Sequence, residues 1–281
     1  MKVGLLMHFK DNKRNKLKQK MDNGQLIICV GTDSLQEIQL CQQLNCDMIL
    51  VYPTAKYSNA TNRFLAGYLA FDNTNDLMLE SSKEMFSILD NTNLLISVNC
   101  SDPFMVPNII LKQFKELHVA GIHNYPSMSL VDGNFGANIN SRKLGFDMEI
   151  NMLKTYSDQN FYTCAMVRNT KQAILMTRAN VDMLIFYLGL GHNKSSKRYN
   201  KTTKLEDDIT LLKEMSAAVR TISSEIPLLF FSEHVNTIDD IKKIIKNVPN
   251  INGYCLMPVA QSSISARQLE LEILQLQKIT Y

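Results

Sequence analysis

Eight short apolar runs alternate with longer amphipathic segments along 281 residues, a rhythm that predicts a (β/α)8 barrel. Three observations carry the prediction. Several runs are apolar at nearly every position, as strands covered on both faces of a parallel sheet are. Eight repeats of this length favour a closed cylinder over an open doubly wound sheet. Hydrophobic residues form 45% of the chain, enough for a sizeable core.

The first segment, Phe9 to Asn23, reads as a basic helix that plugs or flanks the N-terminal mouth of the barrel. Residues 1–24 are therefore taken as an extension and 25–281 as the barrel, in a single TIM-barrel domain. Strands are predicted at Leu26–Val30, Met48–Tyr52, Leu94–Val98, Gly121–Asn124, Tyr162–Val167, Met183–Leu188, Leu228–Ser232 and Gly253–Met257. Asp33 or Ser34 caps the helix after the first strand. Leu205, Ile209, Leu212, Met215, Val219 and Ile222 recur every three or four residues, a stripe facing a core. Thr237 followed by Asp240 resembles a capping box opening Ile238–Lys246, and Pro249 stops that helix. The last helix, Ser265 to Ile279, holds more leucine and isoleucine than one stripe needs. Packing on a second subunit, as a homo-oligomer, is thereby admitted beside packing on the barrel.

Two long segments break the rhythm, Pro53 to Thr74 and Pro126 to Ser141. Both follow strand C-termini, the face on which this fold builds its sites, and long loops there cover pockets.

Composition narrows the function classes. No run of about 20 uninterrupted apolar residues occurs, so no spanning helix is expected. The opening residues are too short for a secretory leader, which points to the cytoplasm. The net charge is only +3, and the basic runs Lys10–Lys20 and Lys194–Lys204 read as a solvated helix face and a surface loop. Nucleic-acid binding wants stacking aromatics beside such runs, and only Tyr199 lies in either, so neither nucleic acid nor membrane is an expected partner. The six cysteines form no C-x-x-C pair and suit buried, reduced thiols. No histidine or carboxylate motif has metal-ligand spacing, so no metal or other cofactor is expected.

A closed parallel barrel gathers its strand ends at one rim. The polar residues so gathered include Asp33, Tyr52, Lys56, Asn99, Ser101, Asp102, His123, Asn124, Tyr187, His192, Glu233, His234 and Ser262. Asp132 lies on the loop beyond the fourth strand and Glu149 in the helix after it. Each has a bland alternative: Asp33 and Asp102 can cap helices, His123 can be a hydrogen-bonded core residue, and Glu149 can be exposed. Cys100, ending a strand beside Asp102, suggests an accessible thiol.

Longer stretches resemble a known family. Asp47–Tyr52, Lys56-Tyr57 and Leu65-Ala66-Gly67 resemble "ADLIVLYNSGRYR…LAGLLPYGDAN". Ser101-Asp102-Pro103-Phe104 is similar to "TDPF", and Gly121 through Gly133 to "GVQNFPTVGLIDG". Gly145-Phe146 with Glu149 resembles "GY..EVEM", Val181–Leu190 "ADILVAHMGL", and Gly253-Tyr254 the start of "GFYG". On these motifs, spanning about Gln25 to Lys278, the chain is identified as a divergent member of the TIM-barrel, phosphoenolpyruvate hydrolase-like family.

The resemblance implies a barrel and a lyase- or hydrolase-like pocket for a small phosphorylated or oxo-acid metabolite. Glu149, Asp102 and Asp132 would be its acids or bases. Lys56 would meet an anionic ligand as a point charge, with Asn75, Asn99, His123, Asn124 and Ser262 completing the binding set. The departures point the other way. Asn73 replaces the aspartate of "GDAN", and Tyr187 the histidine of "AHMG". Glu233–Asn236 replaces "HGGP", and Met257–Ser263 replaces most of "GASSMERLP". Pro258 removes a backbone donor, while Val235 and Val259 crowd the loops that cradle phosphate in this fold. A non-catalytic ligand-sensing or protein-interaction barrel is therefore the alternative to an enzyme.

Overall fold

The structure, a computed structural model, describes residues 3–57, 63–69, 71–89, 93–189, 201–260 and 265–281. In chain order its elements are α1 (Val3–Asp22), β1 (Ile27–Thr32), α2 (Leu35–Gln43), β2 (Met48–Val51), α3 (Arg63–Ala66), α4 (Thr74–Met85), β3 (Leu94–Val98), α5 (Pro107–Glu116), β4 (Gly121–Asn124), α6 (Gly133–Ser141), α7 (Phe146–Asp158), β5 (Tyr162–Val167), α8 (Thr170–Arg178), β6 (Met183–Leu188), α9 (Lys201–Arg220), β7 (Leu228–Ser232), α10 (Ile238–Asn247), β8 (Gly253–Leu256) and α11 (Ala266–Leu276). Every strand pairs in parallel with the next, and β1 closes on β8. The predicted (β/α)8 barrel is the observed fold.

Two-residue periodicity explains why the strands are apolar throughout. Ile28, Val30, Ile49 and Val51 pack outward with the helices, whereas Ile27, Cys29, Met48 and Leu50 pack inward along the axis. Both faces are dry, so both alternate positions must be apolar. Gly253 opens β8 where β1 and β7 press closest. A Cβ there would lie 2.3 Å from the Ile27 carbonyl oxygen and 2.8 Å from Leu229 Cγ. Gly253→Ala is expected to lower stability by about 1–3 kcal/mol, read as a shifted urea midpoint at unchanged slope. An unmoved midpoint would show that the barrel floor yields freely.

Helix α1 closes the N-terminal mouth. Leu17 has no exposed surface and joins Ile27, Met48 and Tyr162 in the axial cluster. Its lysines are not all a solvated face, because Lys10 and Lys13 are buried. The cause lies in two aspartates that immediately precede strands. Asp47 accepts the Ile28 N–H at 2.9 Å and pairs with Lys20 at 2.6 Å. Asp182 accepts the Thr163 N–H at 2.7 Å and pairs with Lys10 at 3.2 Å and Arg14 at 2.5 Å. Burial pushes the Lys10 ammonium below its usual range, against the pull of Asp182.

Local chemistry sets the helix starts. Ser34 caps α2, and Thr237 with Asp240 forms the capping box of α10. Helix α5 begins at Pro107 rather than beside Asp102. Asp102 instead turns the chain by accepting the Phe104 N–H at 2.9 Å. The segment after β4 is partly helical, as α6, and not wholly a loop. On α11, Leu269, Ile273 and Leu276 are buried while Leu271 and Leu274 are exposed. Among the described residues, no helix is long and apolar enough to cross a membrane.

Candidate functional site

Among the described residues, an aromatic layer covers the strand ends at the C-terminal rim. Phe64 on α3 places its ring in that layer. Phe64 is 1% exposed and stacks on Tyr187 (5.6 Å between centroids, 14° between planes), which stacks in turn on Phe231 (5.0 Å, 18°). Tyr52 packs edge-on to Tyr125 at 4.6 Å and beside His123 at 4.8 Å. Met257 lies against Tyr52, and Val259, in the turn Pro258–Ala260, is buried in the same layer. The position that the resemblance gives to a histidine is thus a ring in an aromatic stack.

Two of the predicted carboxylates, Glu149 and Asp102, each centre a hydrogen-bonded group. Glu149, on the first turn of α7, is wholly buried. It accepts from Asn124 Nδ2 at 2.7 Å, from Ser127 Oγ at 2.8 Å and from the Met128 N–H. Asn124 is itself locked to β5, accepting the Met166 N–H at 2.7 Å and donating to the Met166 carbonyl at 3.2 Å. Burial pushes the Glu149 carboxyl up to about 7, against the three donors that hold it down. It ties β4 and the following turn to α7.

Asp102 is the centre of the second group. Its Oδ2 accepts from Asn75 Nδ2 at 3.0 Å and Asn73 Nδ2 at 3.2 Å. Asn75 also accepts the Asn99 N–H at 2.8 Å and donates to the Asn99 carbonyl at 3.1 Å. Asn73 caps α4, so the substituted residue serves the backbone as well. An open cleft of about 510 Å³ borders this group, lined by Tyr68, Phe71, Asp72, Asn99, Asp102 and Phe104. A larger groove, about 790 Å³, runs between α10 and α11 in the helical layer.

Lys56, Asp132, His123 and Cys100 share no hydrogen bond with either group among the described residues. Lys56 is exposed and ion-paired to Asp72 at 2.5 Å. Asp132 is exposed at the N-cap position of α6, where its side chain makes no capping bond. His123 is buried, with Nε2 3.1 Å from the Val51 carbonyl and no partner at Nδ1 among the described residues. Burial pushes its imidazole down to about 3, so it is neutral. Cys100 is fully buried and its thiol is pushed up by burial, which corrects the reading of an accessible thiol. His192 and Ser262 lie outside the described residues. Among the described residues, no three histidine, cysteine, aspartate or glutamate side chains are grouped to hold a metal ion.

Sequence reasoning did not single out one polar group. Asp208 of α9 is buried, lies 2.8 Å from His234 Nδ1 and accepts from Ser232 Oγ at 2.5 Å. The pair straps the loop after β7 to α9, where a phosphate-cradling loop would otherwise stand open. The signal was available, since Asp208 falls between Leu205 and Leu212 on the apolar stripe. Phe64 left a fainter trace, an aromatic residue inside a loop with no strand or helix pattern of its own.

Residues 12–276 match the family model described as Phosphoenolpyruvate hydrolase-like. The tomato (Solanum lycopersicum) ToMV susceptible protein tm-1(GCR26) is 24% identical over 85% of this chain and 32% of its own length. A Sinorhizobium fredii protein described as a putative transcriptional regulatory protein, y4pA, is 24% identical over 54% of this chain and 25% of its own. The chain spans about a third of the length of the curated tomato relative. Among solved structures, 2,3-dimethylmalate lyase, a PEP mutase/isocitrate lyase superfamily member, superposes with a TM-score of 0.51. Its sequence identity is 12%, covering 88% of this chain and 81% of that one, a likeness of fold alone.

Proposed function

Because the chain belongs to the phosphoenolpyruvate hydrolase-like family, we propose that it is a ligand-sensing barrel of that family which has given up catalysis. One observation carries the reading: among the described residues, the mouth where chemistry would occur is filled by the Phe64–Tyr187–Phe231 stack. The carboxylate nearest to an acid–base role is, in addition, used up in the fold. A general acid or base must reach the proton it moves within hydrogen-bond distance. Glu149 has no exposed surface, and its oxygens are held by Asn124, Ser127 and Met128. Lys56, the cation expected to orient an anion, is turned to Asp72 at the surface. The relatives that carry this region within longer chains include one named for transcriptional regulation and one for virus susceptibility, names that suit a module serving a larger protein.

A second reading, hydrolase- or lyase-type chemistry on a small oxo-acid or phosphorylated metabolite, draws on a single observation. A carboxyl pushed up to about 7 is matched to proton transfer near neutral pH. The two readings separate in one experiment. The protein is incubated in D2O with phosphoenolpyruvate and with a panel of small oxo-acids, and phosphate release and deuterium uptake are followed by NMR. No product above the protein-free control is expected, with wild type and Glu149→Gln alike. Turnover that is lost in Glu149→Gln, while its circular dichroism stays native, would establish the enzyme instead. A sensor ligand should still raise the unfolding midpoint, since saturation at about 100 Kd stabilises by ~2.7 kcal/mol.

A further inference from the structure

We propose that the space held by the Phe64 ring is a binding site for a planar, uncharged heteroaromatic ligand, which enters by displacing that ring. This deepens the sensing reading and rests on it. Two polar atoms in the aromatic layer have no partner among the described residues, Tyr187 Oη and His123 Nδ1. Both residues are at most 1% exposed. Buried polar atoms are nearly always satisfied, and leaving one unmade is costly, so a folded barrel that keeps two in one layer has a use for them. They differ in capacity. A phenol hydroxyl can donate as well as accept, while a neutral imidazole bonded through Nε2–H to a carbonyl offers Nδ1 as an acceptor.

The shape of the site follows from its walls. Phe64 occupies a slot stacked against Tyr187 and close to Tyr52 (5.6 Å) and Tyr125 (5.0 Å). A ligand taking its place must be flat to retain the stack. Polar groups that extend beyond the outline of a phenyl ring would serve the two orphan atoms, which Phe64 cannot. The ligand must be uncharged, because the packed side chains Tyr52, Tyr125, Met166, Tyr187, Phe231 and Met257 carry no charge. Arg168 and Glu233, which act on Tyr187, are of opposite sign, and the Asp33 carboxylate, which acts on Tyr125, further disfavours an anion.

The element carrying Phe64 is suited to move. Helix α3 is four residues long, and among the described residues it is held by the Phe64 ring, by the Tyr125 Oη–H bond to the Phe64 carbonyl, by Tyr68 Oη accepting the Ser127 N–H at 3.0 Å, and by packing on the turns Ala55–Tyr57 and Pro258–Ala260. Binding would thus lift α3 and change the surface beside the 510 Å³ cleft, which Gly67, Tyr68 and Leu69 line. That change is the signal.

The test uses protein with 13C-labelled methionine methyls, titrated separately with indole, adenine and phosphoenolpyruvate. Met166 and Met257 report on the mouth, and Met85 and Met176, in the helical layer, are controls. Adenine, with both donors and acceptors, is expected to shift the first pair alone and to bind more tightly than indole; phosphoenolpyruvate is expected to shift neither. Phe64→Ala should bind adenine roughly tenfold or more tightly, because the competing ring is gone. Tyr187→Phe, which removes only the hydroxyl, should weaken it severalfold. Should Phe64→Ala not fold, wild type and Tyr187→Phe decide the matter. Unmoved Met166 and Met257 signals in wild type with every probe would overturn the proposal, as would shifts by phosphoenolpyruvate equal to those by adenine. A ligand that raises the unfolding midpoint without touching these methyls would sink this site and leave the sensing reading intact. Turnover of an oxo-acid would do the reverse.

Discussion

Asp182→Ala is expected to cost about 3–5 kcal/mol, the range for removing one partner from a buried charge pair. The side chain is fully buried and carries the contacts of two elements. Its Oδ2 accepts the Thr163 N–H and hydroxyl and the Lys10 ammonium, and its Oδ1 takes Arg14. Alanine leaves a strand N–H without its acceptor and a buried ammonium whose remaining hydrogen bonds among the described residues go to Ser157. Lys10→Met should cost less, because Asp182 keeps Arg14 and Thr163. For a chain of this size the midpoint of thermal unfolding should fall by roughly 6–15 °C. The deficit should narrow as pH rises. Burial already lowers the Lys10 pKa, and without Asp182 it falls further, so the native state sheds that proton more readily than the unfolded chain and gains stability with pH. A deficit under about 1 kcal/mol at pH 7 would mean that α1 is an ornament on the barrel floor and not its plug.

That plug shows where sequence reading succeeds and where it stops. The strands were legible because burial on both faces leaves no polar position to confuse the pattern, as Met183–Leu188 shows. The placement of a basic helix at the N-terminal mouth was legible from order alone. The burial of Lys10 and Lys13 was not, since it depends on Asp47 and Asp182, far away in sequence, meeting one helix. Helix α6 escaped because Gly133-Asn134-Phe135-Gly136-Ala137-Asn138 is rich in poor helix formers, and propensity gives way to tertiary context there. The rim was half legible. Strand order brings Asn124 and Glu149 to one end, and their meeting follows from it. Which side chains then fill the mouth depends on where α3 lies over the strand ends. Nothing local in Arg63-Phe64-Leu65-Ala66 says that its second residue turns inward. The departures at Tyr187 and Val259 were the better guide, because bulk at two rim positions already spoke against an open cup.

Glu149→Gln is expected to change the pH dependence of folding more than its magnitude at any one pH. Burial lifts the folded-state value to about 7, above the ordinary glutamate value of 4.5, so the native state binds this proton more tightly than the unfolded chain. The stability so contributed is complete below about pH 4.5 and is lost as pH rises through about 7. That difference corresponds to a loss on the order of 3 kcal/mol between acid and pH 8.5. Glutamine cannot titrate, so the difference curve between wild type and variant isolates this one group from every other. At pH 5 the variant should be weaker by roughly 1–2 kcal/mol, because its amide confronts the Asn124 amide where a carboxyl oxygen accepted. By pH 8.5 it should equal or exceed wild type. Glu149→Ala behaves differently, leaving the Asn124 amide and the Met128 N–H without an acceptor at every pH, and should stay about 3 kcal/mol or more below wild type at pH 5. Urea unfolding at intervals from pH 5 to pH 9 measures all three. A flat difference curve would show that the three donors outweigh burial and keep Glu149 ionised throughout. The consequence would reach the mouth, since Ser127, held by Glu149, is also the residue whose N–H secures Tyr68 beside Phe64. A carboxyl that titrates near 7 would loosen that hold in the physiological range, and one that stays ionised would not.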